Sequence, residues 1–392
     1  VARGGYGVFY NPGNSEFVYM RRHRQLPFGP IVTADIDQFS TTPRTVAQGF
    51  DPIPVLDFNV VAQNPVGAML AVDVNMRSAY VQQYNFQIQH QLSNELVAKV
   101  GFVGNIGRRL DTAWNYNQPV PGPGSNNPRR PLFSVAPNVT DITYLTFDGK
   151  SNYNSLQASL ERRFNTIGFL AAYTWAHSID DVQNAFLGVA DNGPMPQDRR
   201  CRQCDRGASG FDIRHRFTTS MNWALPLGKG RRFDLGRALN VAVGGWDTNL
   251  IFTAQTGLPF TPVLQTSVSN AGASRPNRLR SGELANPDPS LWFDPSFNGP
   301  TAAWAVPAQF TFGNSGRNIL RGPGRLNVDW SMFKDFVASE RWRLQYRAEF
   351  FNLFNSPQFD VPSASIGNPA AGRITATIGP NRQIQMGLRL SF

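Results

Sequence analysis

No stretch of roughly 18 consecutive apolar residues occurs in this sequence, which excludes a membrane-spanning helix. Charge is scarce as well: Asp, Glu, Lys and Arg make up 16% of the 392 residues, against about 25% in an ordinary soluble domain. There are only two cysteines and four histidines. No second CxxC, G-x-S-x-G, H-E-x-x-H or phosphate-binding glycine loop is present, and no carboxylate pair stands out from strand alternation. Catalysis is therefore not expected, and neither a cofactor nor a resident metal is implied. The chain opens at Val1 with no initiator methionine, charged n-region or apolar h-region. The expectation is a fragment of one domain, residues 1–392, lacking a signal peptide.

Aromatic residues are plentiful, at 12% of the chain, with 29 phenylalanines, while mean hydropathy is only −0.31. An aromatic-rich, charge-poor chain without hydropathy peaks is what half-lipid, half-water strands produce. The net charge of +10 comes almost wholly from arginine, since only Lys99, Lys150, Lys229 and Lys334 are lysines. A basic balance raises nucleic acid as a partner. The arginines, however, are dispersed and alternate with apolar residues, so no nucleic-acid partner is expected. At strand ends their bidentate geometry suits the phosphates of lipopolysaccharide.

The last stretch, residues 382–392, sets the pattern. Successive strand side chains point to opposite faces, so Ile384, Met386, Leu388, Leu390 and Phe392 form one apolar face, and Gln383, Gln385, Gly387, Arg389 and Ser391 the other. The strand ends bare on an aromatic, without the charge or proline that usually protects a soluble edge. The same alternation recurs from Tyr80 to Leu92, Leu96 to Phe102, Leu156 to Phe164, Ile167 to Trp175, Phe211 to Leu225, Leu239 to Gln255, Leu326 to Phe336 and Trp342 to Phe350.

Short turns near 93, 165, 228 and 338 alternate with long loops at about 11–76, 107–151, 179–210, 256–323 and 356–381. Short turns on one side and long loops on the other are the outer-membrane asymmetry. The predicted fold is all-β: an antiparallel transmembrane β-barrel of about ten strands. Inward faces offering Gln, Asn, Ser and Gly cannot fill so narrow a lumen, so an open or imperfectly closed sheet is expected.

Several segments resemble the C-terminal barrel of TonB-dependent receptors, particularly the large Oar-like kind. They are YVQQYNFQIQHQLSNELVAKVGFVGNIGRRL, YNSLQASLERRF with AAYTWAHSIDD, FDIRHRF, GGWDTNLIFTAQTGLPFTP and RLQYRAEFFNLFNSPQF. RAEFFNLFN at 347–355 and the terminal Phe392 are the most specific pieces, and Leu388, Leu390 and Phe392 then form the C-terminal signal read by the barrel assembly machinery. Such receptors are barrels of about 22 strands with a plug in the lumen. The resemblance implies energised uptake of a siderophore, oligosaccharide or peptide, with TonB engaged through an N-terminal region. The plug, the coupling box and about half of the strands are absent from this sequence. The other readings are a structural or adhesive surface protein and a passive porin.

On that resemblance Asp329, Arg343, Arg347 and Glu349 face the lumen, where they bond a plug or line a polar path, or else satisfy one another and water. Trp292, Phe293 and Trp304, in the longest loop, are candidates to stack on a ligand, with loop packing as the other reading. Cys201 and Cys204, three residues apart, suit a loop disulfide in an oxidising exterior, or remain inert thiols. His215, within DIRHR, is expected to hydrogen-bond at a strand's outer end. Tyr173, Trp175, Trp223, Trp330 and Trp342 are expected in the aromatic girdles at the membrane boundaries.

Overall fold

The computed structural model describes residues 1–11, 67–163, 166–182, 196–337 and 341–392. Ten long strands run through it: β1 (Ala2–Asn11), β2 (Ala79–Gln91), β3 (Leu96–Asn115), β4 (Val139–Arg162), β5 (Ile167–Asp180), β6 (His215–Ala224), β7 (Trp246–Gln255), β8 (Arg325–Val337), β9 (Arg343–Phe351) and β10 (Gln383–Ser391). Each pairs antiparallel with the next in sequence, giving one up-and-down meander from β1 to β10. The short strands Gly67–Val72 and Gly207–Ala208 add to β4 and β5. The sheet is open, with β1 and β10 as its edges.

The register carries the sequence alternation across every strand pair. Leu388 of β10 lies opposite Tyr346, Tyr346 opposite Lys334, and Met332 opposite both Ala348 and Thr248. Followed across the sheet, one face collects Phe86, Val100, Leu156, Tyr173, Phe217, Leu250, Trp330, Phe350 and Met386. The other collects Gln87, Gly101, Gln157, Thr174, Arg216, Asn249, Ser331, Glu349 and Gln385. Most of the apolar face has no protein layer over it: Met386 is 66% exposed and Leu388 71%, while Val328, at 7%, and Lys334, at 4%, are covered locally. Burial is concentrated instead at the loop-bearing end, where Phe260, Phe293, Ala303, Trp304, Leu320 and Ile366 form a cluster.

Three boundaries differ from expectation. Both ends of the loop expected at 107–151 are strand, because β3 and β4 stay paired out to Asn115 and Thr143, which leaves 116–138 as loop. A bulge at Arg109, with φ 55°, shifts the register there, and the extra residue breaks the alternation that marks a strand in sequence. The connection after β6 is not a tight turn near 228 leading into a strand from Leu239. Residues 225–245 include a short helix, α1 (Arg237–Ala242), and β7 starts at Trp246. Glycines at φ 80° (Gly236) and 72° (Gly245) bracket α1, and both supply backbone that a side chain would strain. The expected strand from Phe211 starts only at His215. Residues 12–66 of the first long loop, 183–195 of the third, and the turn positions Asn165 and Ala338–Glu340 lie outside the described residues.

Among the expected girdle aromatics, Trp175 lies beside His215 at the loop end, and Trp342 stacks on Phe392 at the turn end with ring centroids 5.3 Å apart. Trp330 is different: it sits in the middle of β8, stacks on Phe350 at 5.3 Å and gives its indole N–H to Thr248 Oγ1 at 2.7 Å. A neighbouring hydroxyl replaces the interfacial water that the indole would otherwise seek.

Candidate functional site

The polar face of the sheet and the loops at its end are the two places where chemistry-bearing side chains gather. On the polar face, Asn85, Gln87, Gln157, Ser159 and Thr174 line a groove of about 530 Å³, crossed by the Lys99–Glu161 ion pair at 3.3 Å. Glycine at 101 and alanine at 172 leave the space that makes it a groove. Amides and hydroxyls offer both donors and acceptors, an arrangement suited to water and neutral polar solutes.

The register puts Asp329, Arg343, Arg347 and Glu349 on this same face. Arg347 and Glu349 pair at 3.8 Å, and Arg347 also gives a hydrogen bond to Gln345, 3.4 Å away. Asp329 is already engaged: it accepts the Asn327 amide at 2.9 Å and the backbone N–H of Asn352 at 2.8 Å. Arg343, at the turn end opposite Ser391, is separate from the others.

The loops form a tied cap. Gln118 donates to the carbonyls of Gln197 and Ala271, and Gln197 donates to that of Gly313, so three loops are stitched through two amides. Val263–Leu264 pairs in parallel with Ser365–Ile366, which brings in the last loop. Buried arginines complete the ties. Arg317, with a side chain 1% exposed, pairs with Asp180 and donates to the carbonyl of Asp205 at 2.8 Å. Arg275 pairs with Asp205 at 2.9 Å. Asp212 receives Arg321, Arg214 Nε at 3.3 Å and His177 Nδ1 at 3.2 Å. Burial pushes the Asp205 carboxyl above its ordinary value, against the pull of Arg275 and Arg317, and pushes the Arg275 guanidinium below its own. Arg214, Arg275, Arg317 and Arg321 are thus engaged inside the cap.

Phe293 and Trp304 are not ligand platforms. They are 1% and 0% exposed, and the Trp304 indole N–H is given to the carbonyl of Asp294 at 2.7 Å. Trp292 is half-buried against the same cluster and donates to the Arg321 carbonyl at 2.8 Å. These rings are the cap's own core, a placement set by contacts between distant loop segments that no local pattern reveals.

Trp114, Tyr116 and Tyr144, at the extended ends of β3 and β4, meet at centroid distances of 5.1–5.6 Å, and Arg199 lies over Trp114 and Tyr116 at 5.9 and 5.5 Å. Tyr116 is exposed, and Trp114 and Tyr144 are half-buried. A cavity of about 110 Å³ beside them is lined by Asp148, Asp181, Asp198 and Arg202. The aromatic run W-N-Y at 114–116 falls in the segment expected to be loop.

Cys201 and Cys204 are joined in a disulfide across the short helical turn Arg202–Asp205. Within that turn Arg202 pairs with Asp148 at 2.6 Å. His215 shares a hydrogen bond with the Tyr173 hydroxyl at 2.7 Å at the loop end of β6. Among the described residues no three His, Cys, Asp or Glu side chains gather as metal ligands.

A family model described as "Outer membrane beta barrel domain" matches residues 1–385. No curated protein matches the chain. Among solved structures it is similar to the outer membrane transporter YddB from Escherichia coli (TM-score 0.43, 9% identity, 82% of this chain and 34% of that one). It is also similar to the FrpB iron transporter from Neisseria meningitidis, F3-3 variant (0.37, 9%, 81% and 32%), and to BauA, the ferric preacinetobactin receptor from Acinetobacter baumannii (0.36, 9%, 81% and 30%). The chain spans about a third of the length of each of these proteins.

Proposed function

The chain belongs to the outer-membrane β-barrel domain family and resides in the outer membrane of a Gram-negative bacterium; on that premise we propose that it is part of the wall of an Oar-like TonB-dependent receptor. In this reading the full-length protein takes up a large or scarce substrate of the siderophore, oligosaccharide or peptide class. The observation that carries the reading is the two-sided sheet, apolar on one face and amide-lined on the other, with a tied cap at one end. Lipid meets the first face and solute the second.

Trp114, Tyr116 and Tyr144 take the ligand-contact role in this proposal, in place of the enclosed Phe293 and Trp304. Tyr116 is exposed and its two neighbours are half-buried; partly open rings beside carboxylates and guanidinium groups recognise polar, ring-containing or zwitterionic solutes by stacking and hydrogen bonding. Asp329, Arg347 and Glu349 hold the inner face in order, with a plug or water as their counterpart. TonB, through an N-terminal region, and the barrel assembly machinery are the proposed protein partners, with lipopolysaccharide against the outer half of the wall.

The experiment is uptake by cells making the full-length protein, before and after collapse of the proton-motive force. Energised import predicts accumulation against a gradient that stops on collapse. Flow that continues unchanged indicates a porin, and loss of cell-surface adhesion without any uptake phenotype on deletion indicates an adhesive protein.

A further inference from the structure

The connection between β6 and β7, at the turn end, carries apolar side chains that the protein leaves largely open. Leu239 and Val243, four residues apart and so on one face of α1 and its C-cap, are 57% and 45% exposed, and Val241, on another face, is 62% exposed. On a soluble surface such a cluster would be a liability. Its position gives it a partner. Lys334 of β8, on the apolar face of the sheet, is only 4% exposed because α1 lies over it. The ammonium donates to the carbonyls of Asn240 and Val241 at 2.9 and 2.6 Å and sits 4.9 Å from the Phe336 ring centroid and 5.8 Å from that of Trp246. The Trp246 indole N–H goes to the carbonyl of Ala242 at 2.9 Å.

Two side chains that point toward lipid therefore bind the last carbonyls of α1, where a cation and N–H donors are most favourable. The helix is held against the outer wall rather than under the lumen. Arg231 fixes the other end of the connection, donating to the carbonyl of Trp246 at 2.7 Å and pairing with Asp247 at 3.0 Å. Lys229 and Arg232 remain exposed, Arg232 over the Phe233 ring at 5.4 Å.

We propose that residues 226–243 form an interfacial foot that binds phospholipid of the periplasmic leaflet, with Leu239 and Val243, which share one helix face, in the acyl boundary and Lys229 and Arg232 on the phosphates. Two features select phospholipid over a protein partner. The apolar pair is tied through α1 to Lys334 and Trp246 on the lipid-facing side of β8 and β7, and Lys229 and Arg232 stand exposed on the same turn-end connection. Lys334 then acts as a clamp that keeps the foot on the wall. The inference requires membrane residence alone and is independent of what, if anything, the barrel imports.

The test uses site-specific labelling: both cysteines of residues 1–392 are in the disulfide, and any other cysteine of the full-length protein is first replaced by serine. The full-length protein carrying Leu239→Cys, Val243→Cys or, as the control at the tip of the β2–β3 turn, Asn94→Cys receives an environment-sensitive fluorophore. Each is placed in vesicles of phosphatidylethanolamine with phosphatidylglycerol, and in vesicles of phosphatidylcholine. Nitroxide carried on the upper acyl chain should quench positions 239 and 243 at least about twofold more than position 94, as an interfacial helix requires. Lys229→Gln with Arg232→Gln should erase the excess quenching in the anionic vesicles while leaving folding, read by heat-modifiable gel mobility, unchanged. Equal quenching at 94, 239 and 243, with free access of aqueous iodide to all three, would overturn the proposal. So would protection at 239 that appears only when a second protein is added.

Discussion

Asp212 has a side chain 1% exposed yet meets two guanidinium groups, the His177 imidazole and the backbone N–H of Ser178 at 2.7 Å. A buried carboxylate so surrounded is held by its partners, and they by it. Asp212→Ala leaves Arg321 and its neighbours without a counter-charge and is expected to cost the cap about 3–5 kcal/mol. The measurement is protease nicking of the loops on intact cells, with cleavage expected between 196 and 214 in the variant and not in the parent.

Asp205 behaves differently with pH. Its carboxyl titrates above the ordinary 3.8 because burial outweighs the pull of Arg275 and Arg317. A group whose folded value exceeds its unfolded value contributes stability at low pH that is lost as pH rises through the raised value. Cap stability should accordingly decline with rising pH from about 4 upward, and Asp205→Asn should flatten that decline. Hydrogen exchange of residues 201–206 against pH reads the slope directly.

At the scale of the strand, the two faces make opposite demands. Leu250 and Asn249 are neighbours in the middle of β7 and point to opposite faces. Leu250→Arg should cost about 2–4 kcal/mol of folding stability in lipid, the usual penalty for arginine on a lipid face near the midplane, while Asn249→Arg should cost almost nothing. Urea titration of the heat-modifiable folded form in vesicles distinguishes them. A similar loss for both would place the two side chains in similar surroundings.

Strand existence, order and facing were legible in the sequence because a period of two survives wherever one face is apolar and the other wet. The run around Leu239, Val241 and Val243 shows why such reading fails locally. Its alternation imitates a strand, yet paired glycines turn the chain into α1, and the apolar side chains meet solvent-exposed space beyond the wall. The bulge at Arg109 misled in the reverse sense, hiding real strand by slipping the faces. The cap was not legible at all. Gln118 reaching Gln197, or Arg317 reaching Asp180, joins residues far apart in sequence whose types say nothing of the pairing.

As a whole, the molecule inverts the usual arrangement of a water-soluble fold. Its small buried core lies among the loops, and its largest apolar surface faces outward on every strand. Arg275, Arg317 and Arg321, which composition alone would assign to an external anion, are engaged in holding loops together. The sheet remains open at β1 and β10, as an amide-lined inner face too sparse to fill a narrow cylinder requires.

The most direct test of lipid on the outer face is a spin-label scan of β8, one cysteine at a time from Leu326 to Phe336, in the full-length protein in its outer membrane. Oxygen, concentrated in acyl chains, should relax labels at 326, 332 and 336 most, and an aqueous nickel chelate should relax those at 327, 329, 331 and 333. Accessibility without that two-residue period, or labels at 326, 332 and 336 shielded from both reagents by protein, would contradict the account.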